Sequence, residues 1–245
     1  MSVIEPLLLS TVRICTCAGT HVLTNASGFF FARDERLFLV TSQHVVVDAS
    51  SRHFPDRLEI ELHTDRHNMA SSCGFSVPLY RDGESLWRQG RDTAGGVDVA
   101  LIELERAALP GAVVYHAFTP QHLQAPGELI EVGTALLVVG FPLGFHDHLH
   151  HMPVVRHAIV ASSFGLRFQG QGYFLTDART HRGTSGAPVV MRMPNDCRHS
   201  EDLPWILLGV HSARLDLGNR DLVQDEALGL NCTWYADILM TLSAN

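Results

Sequence analysis

The 245-residue chain has little positive charge, few cysteines and no long apolar run. Lys and Arg number 18 against 26 Asp and Glu, a formal net charge of −8 with histidine neutral. That balance argues against a broad basic face for nucleic acid or anionic lipid. No stretch approaches the roughly 20 apolar residues of a membrane-spanning helix. The apolar run near the start, Pro6 to Leu9, follows Glu5 with no basic segment before it, so it reads as neither a secretory leader nor an anchor. The cysteines are Cys15, Cys17, Cys73, Cys197 and Cys232. An odd set fits free thiols in a reducing cytoplasm better than a disulfide framework. Cys15 and Cys17 are too close for a zinc-finger pair, and no second pair follows. The expectation is a cytoplasmic protein with no cofactor, no resident metal, and no nucleic-acid or membrane partner.

What is present is a set of short segments rich in β-branched and aromatic residues. The first half holds Ser27–Arg33, Arg36–Thr41, Arg57–Leu62 and Val97–Leu104. The second holds Ala135–Gly140, Pro153–Ala161, Gly172–Thr176, Ala187–Met191 and Trp205–Val210. Broken by Gly, Pro and Asp, they predict an all-β sandwich or barrel. No alternation with long amphipathic helices is visible, which disfavours a doubly wound fold. Residues 116–128, with Pro120, Pro126 and Gly127, read as a linker between halves at 1–115 and 129–232. The Tyr80–Gly96 stretch reads as a surface loop. Trp234, Ile238 and Leu242 recur every four residues, predicting a closing helix over 233–245.

Three segments carry chemistry. His44 follows an apolar strand in TSQHVV, Asp98 opens one in VDVALI, and Ser185 lies in the turn GTSGAP. A serine hydroxyl is a weak nucleophile that needs a base of near-neutral pKa, and the base needs a partner to fix its tautomer. His44 suits the base, Asp98 the partner and Ser185 the nucleophile. Glycine before the serine lets the backbone turn its amides toward a developing oxyanion, so the Gly183 and Ser185 N–H groups are the expected donors. Each segment alone is a common turn or strand end. The chain order His, Asp, Ser separates this set from α/β-hydrolases and subtilisins, which use other orders.

With these segments, the chain resembles the chymotrypsin and trypsin superfamily, in particular the bacterial branch of trypsin-like peptidases that includes the high-temperature-requirement proteases. The matching stretches are TSQHVV, GVDVALIEL, VVGFPLG, TDARTHRGTSGAPVV and WILLGVHSA. The resemblance implies two six-stranded antiparallel β-barrels with a short C-terminal helix. His44 and Asp98 would come from the first barrel and Ser185 from the second. The activity it implies is serine endopeptidase action on a protein or peptide substrate through an acyl-enzyme, with room for a regulatory protein partner. Three departures stand out. Ala187 replaces a usual glycine, and Thr184 replaces the acid that a trypsin zymogen switch would need. The appended peptide-binding module of the high-temperature-requirement proteases is also not expected.

In this superfamily the specificity pocket is lined by residues before the nucleophile and by the strand running into HSAR. Those are Arg179, Thr180, His211, Ser212 and Ala213. Arg179 stands where an acid would select Lys or Arg. Thr180 and His211 resemble the pocket of the glutamyl endopeptidases, because hydroxyl and imidazole can both donate to a carboxylate. Cleavage after Glu or Asp is the expectation. The segment GFHDHLHHMP places His146, His148 and His150 on one face if extended, a set that suits zinc or nickel; its plain reading is a solvated loop. The competing function is a catalytically silent peptidase fold used for binding or signalling.

Overall fold

Alternating apolar segments on both sides of the linker pair into two β-structures, seen in a computed structural model that describes residues 4–193, 203–214 and 229–244. The first half contains β1 (Thr11–Ala18), β2 (His21–Arg33), β3 (Arg36–Thr41), β4 (Arg57–His63), β5 (Ser72–Pro78), β6 (Tyr80–Arg81), β7 (Glu84–Ser85), β8 (Trp87–Asp92) and β9 (Gly95–Leu104). Seven of these form one sheet in the order β5-β4-β1-β2-β3-β9-β8, and β6 and β7 form a separate hairpin. The second half contains β10 (Ala135–Gly140), β11 (Val154–Val160), β12 (Tyr173–Asp177), β13 (Pro188–Arg192), β14 (Trp205–Arg214) and β15 (Leu230–Tyr235). These close into a six-stranded barrel, β10-β11-β12-β15-β14-β13. The architecture is the all-β chymotrypsin-like double barrel that the resemblance implied, with the six strands expected in the second half and a seventh, the edge strand β8 paired to β9, in the first. Among the described residues two short α-helices complete it, α1 (Gln43–Val46) and α2 (Ile238–Leu242).

Two elements depart from the sequence reading. The Tyr80–Gly96 stretch is a hairpin followed by β8, whose polar residues face solvent at the edge of the sheet while its backbone pairs with β9. The closing helix is also shorter than 233–245. Thr233 and Trp234 belong to β15, opposite His211 and Val210 of β14. The ladder bonds that β15 completes on both sides outweigh a four-residue apolar spacing spanning a strand end and one helical turn.

The segment between β9 and β10 touches both halves. Phe118 is fully buried and exchanges backbone hydrogen bonds with β2 at Phe30 and Ala32, and Leu123 bridges to Leu207 of β14. One core cluster runs across the junction, from Phe29, Phe38 and Val99 to Val139, Leu207 and Trp234. Apolar contact of this kind fixes one half against the other. The four described cysteines, Cys15, Cys17, Cys73 and Cys232, are free thiols; Cys197 lies outside the described residues. Among the described residues no helix is long and apolar enough to cross a membrane.

Candidate active site

β3, buried from Leu37 to Thr41, delivers the chain into α1, and this single turn carries His44 beside the start of β9. Asp98 grips that histidine twice. The His44 backbone N–H donates to Asp98 Oδ1 at 2.9 Å, and His44 Nδ1 lies 2.8 Å from Asp98 Oδ2. The bond to an acceptor-only carboxylate places the proton on Nδ1 and leaves Nε2 as the free base. The Ser212 hydroxyl donates to the same Asp98 Oδ2. The His44 side chain is 36% exposed and that of Asp98 21%, so the imidazole is reachable while its partner is more covered. Burial pushes the His44 pKa down. The Asp98 hydrogen bond, its charge and that of Asp48 push it up, and the net direction is upward.

Ser185 sits on a turn that two glycines make possible. Gly183 has φ +89° and Gly186 φ +84°, both in the left-handed region. A Cβ on Gly183 would lie 2.6 Å from the Phe141 carbonyl, and one on Gly186 2.2 Å from that of Ser27. Arg182 O accepts from the Leu143 N–H at 2.5 Å. In a trans peptide the following N–H points the opposite way, so this bond orients the Gly183 amide. Neither the Gly183 nor the Ser185 N–H has an acceptor among the described residues. Ala187, which replaces a glycine of the family pattern, is fully buried and keeps its ladder bond from His211 N.

The Ser185 hydroxyl donates to the Ser212 carbonyl at 2.9 Å. Ser185, Ser212, Asp98 and His44 therefore form one linked chain of contacts across the two halves. Ser212, a substrate contact by resemblance, uses its side chain to hold Asp98.

Sequence reasoning missed Ser27. Its hydroxyl donates to Gly183 O at 2.8 Å and accepts from Phe141 N–H at 3.0 Å, and its backbone N–H donates to Ser185 O at 2.9 Å. β2 thereby holds both ends of the serine turn. A small polar residue just before the buried FFF run was the only signal.

Of the pocket residues, Thr180 and His211 are buried, whereas Arg179 is exposed. Ala213 lies in β14, with its side chain outside the described residues. The Thr180 hydroxyl donates to Asn231 Oδ1 at 2.5 Å, a partner that no local motif marks. Burial, then the facing His44, pushes the His211 pKa down to about 4.

The His-rich segment is a loop rather than an extended strand, with Asp147, His148 and Leu149 exposed. It turns, so that buried His146 packs its ring against those of Phe141, His148 and His151, and its Nδ1 lies 2.6 Å from Gly144 O. His150 pairs instead with Asp147. Among the described residues no group of three His, Cys, Asp or Glu is placed to hold a metal ion.

A model of the trypsin-like peptidase domain matches residues 26–193. The chain belongs to that family. The chain also matches the crystal structure of a serine endoprotease from Yersinia pestis, with a TM-score of 0.54 and 13% sequence identity. The match covers 96% of this chain and 62% of the Yersinia chain, so the sequence spans less than two thirds of that protein. At that identity the likeness is one of fold. No curated protein matches the sequence.

Proposed function

We propose that the protein is a serine endopeptidase in which Ser185 is the nucleophile, His44 the general base and Asp98 its orienting partner. The observation that carries this reading is the linked set Ser185–Ser212–Asp98–His44 beside two backbone amides that have no acceptor among the described residues. In the reaction the Ser185 hydroxyl turns to His44 Nε2 and gives it the proton as Oγ bonds to the substrate carbonyl carbon. The carbonyl oxygen becomes an oxyanion held by the Gly183 and Ser185 N–H groups. His44 then protonates the leaving amine as the C–N bond breaks, leaving an acyl-enzyme. A water molecule, deprotonated by His44, reverses the sequence and frees the acid product and the serine. Buried Thr180 and His211 support a hydrogen-bonding side chain of acid or amide type on the acyl side of the cut bond.

A second reading, a binding module without turnover, draws on the Ser185 hydroxyl facing Ser212 O. One rotation about χ1 reverses that orientation, and side-chain rotamers exchange on fast timescales. The unpaired amides favour turnover. A fluorophosphonate probe on wild type and Ser185→Ala separates the two. Wild type should label and cleave unfolded protein, and the variant should do neither. A folded wild type that neither labels nor cleaves would sink the peptidase reading.

A further inference from the structure

The second barrel buries a polar cluster next to Ser185. Thr176, Thr180, His211, Asn231 and Thr233 are each at most 5% exposed. They are joined by register and by hydrogen bonds. Thr233 pairs with His211 across β14 and β15, Thr176 Oγ1 lies 3.3 Å from Thr233 Oγ1, and Thr180 reaches Asn231. Thr180 is five residues before the nucleophile, and His211 bonds the serine turn directly: its carbonyl accepts from the Gly186 N–H at 2.8 Å and its N–H donates to Ala187 O at 2.9 Å, so the cluster lies beside the Ser185 turn.

Asn231 fixes the direction of the hydrogen bonds. Its Nδ2 donates to Ala178 O at 2.9 Å and to Gly229 O at 3.0 Å, with Thr176 O at 3.4 Å. A flipped amide would aim its carbonyl at three carbonyls, so Oδ1 must face Thr180. Oδ1 can only accept, and it takes the Thr180 proton. What Thr180 Oγ1 has left to offer is a lone pair.

His211 is the donor of the cluster. Its Nδ1 is buried with no partner among the described residues. Burial and the neighbouring His44 keep the imidazole neutral at ordinary pH, with one N–H to give. The adjacent cation, Arg179, is exposed rather than turned into the cluster.

A carboxylate entering this site would gain one N–H, face the Thr180 lone pair and find no cation among these buried side chains. Turning the Thr180 hydroxyl toward it would leave Asn231 Oδ1 buried and unpaired. A carboxamide fits the same groups without such a loss, because its oxygen accepts from His211 and its NH2 donates to Thr180 Oγ1. We propose that the pocket selects glutamine over glutamate on the acyl side of the cut bond, with Asn231 as the positioning residue that makes Thr180 an acceptor. The proposal rests on the serine endopeptidase reading.

The test is a pair of peptides that differ only in Gln or Glu at the scissile position, cleaved near pH 7.5 by the full chain. Fluorophosphonate labelling of Ser185 is measured alongside. The Gln peptide should show kcat/KM higher by at least about tenfold. Thr180→Ser should keep that ratio, and Thr180→Val should bring it to within about threefold of unity while still labelling. Labelling with equal or better cleavage of the Glu peptide would overturn the pocket inference and leave the peptidase standing. So would cuts in a proteome-derived library that fall mainly after other residues. Absence of both labelling and cleavage in a folded wild type would overturn both readings. The wild-type ratio decides the matter even if Thr180→Val fails to fold.

Discussion

His44 is pulled two ways, and the balance sets the pH at which the protein should work. Burial favours its neutral form, while the Asp98 bond and charge, aided by Asp48, favour the cation; the cation gains. Catalysis needs the neutral base, so the acid limb of kcat/KM should lie above the ordinary histidine value of about 6.5. Asp98→Asn removes the two larger upward causes and leaves burial opposed only by Asp48. The limb should then move below that of the wild type, and kcat should fall by about four orders of magnitude because the tautomer is no longer fixed. A pH–rate profile of both proteins checks this, and an unmoved limb would remove Asp98 as the partner. At this scale His44, Asp98 and Ser185 were legible because each sits at a recognisable strand end or glycine turn. Ser27, Ser212 as a carboxylate holder, and Asn231 were not. Their roles depend on partners 156, 114 and 51 residues away in sequence, which no local pattern encodes.

Turns and strands were read with unequal success, for a physical reason. Strands buried on one or both faces announce themselves, as β3 and β10 do, and both match their sequence bounds. β8 has a mostly polar, exposed surface, and only its backbone pairing with β9 makes it a strand. β15 is short and sits between β12 and β14, so the need to close the barrel decides its conformation. The serine turn is the element on which chemistry depends most. Gly183 combines a φ of +89° with a close approach to Phe141 O, and both conditions exclude a side chain. Gly183→Ala should therefore shift one of the two unpaired amides. The expected outcome is a loss of about 10²–10³ in kcat with KM changed far less. Far-UV circular dichroism should remain that of the wild type. A variant with full kcat would show that this amide does not meet the oxyanion.

Across the whole molecule, buried histidines should govern how the fold responds to acid. His211, His122 and His146 all have lowered pKa values, each with burial as the largest cause; the charges of Arg13, His148 and His151 add to it at His146. Unfolding releases these groups to about 6.5, so below that pH the unfolded chain binds more protons than the folded one. Their contribution to stability is present in full above about pH 6.5 and is lost as pH falls toward their folded values. For His211, whose folded value is about 4, the loss between pH 7 and pH 5 is about 2 kcal/mol. His44 acts in the opposite sense. Its raised pKa adds stability that is complete below about 6.5 and disappears as pH rises through its folded value. Three groups against one leave a net loss on mild acidification, well above the pH at which Asp48, held at about 2, would protonate. Thermal melts at pH 7 and pH 5 should differ by roughly 4–8 °C from the His211 contribution alone. His211→Leu removes the titrating group whatever it does to absolute stability, so the difference between its two melts should shrink by that amount. An undiminished difference in the variant would show that His211 does not carry the acid response.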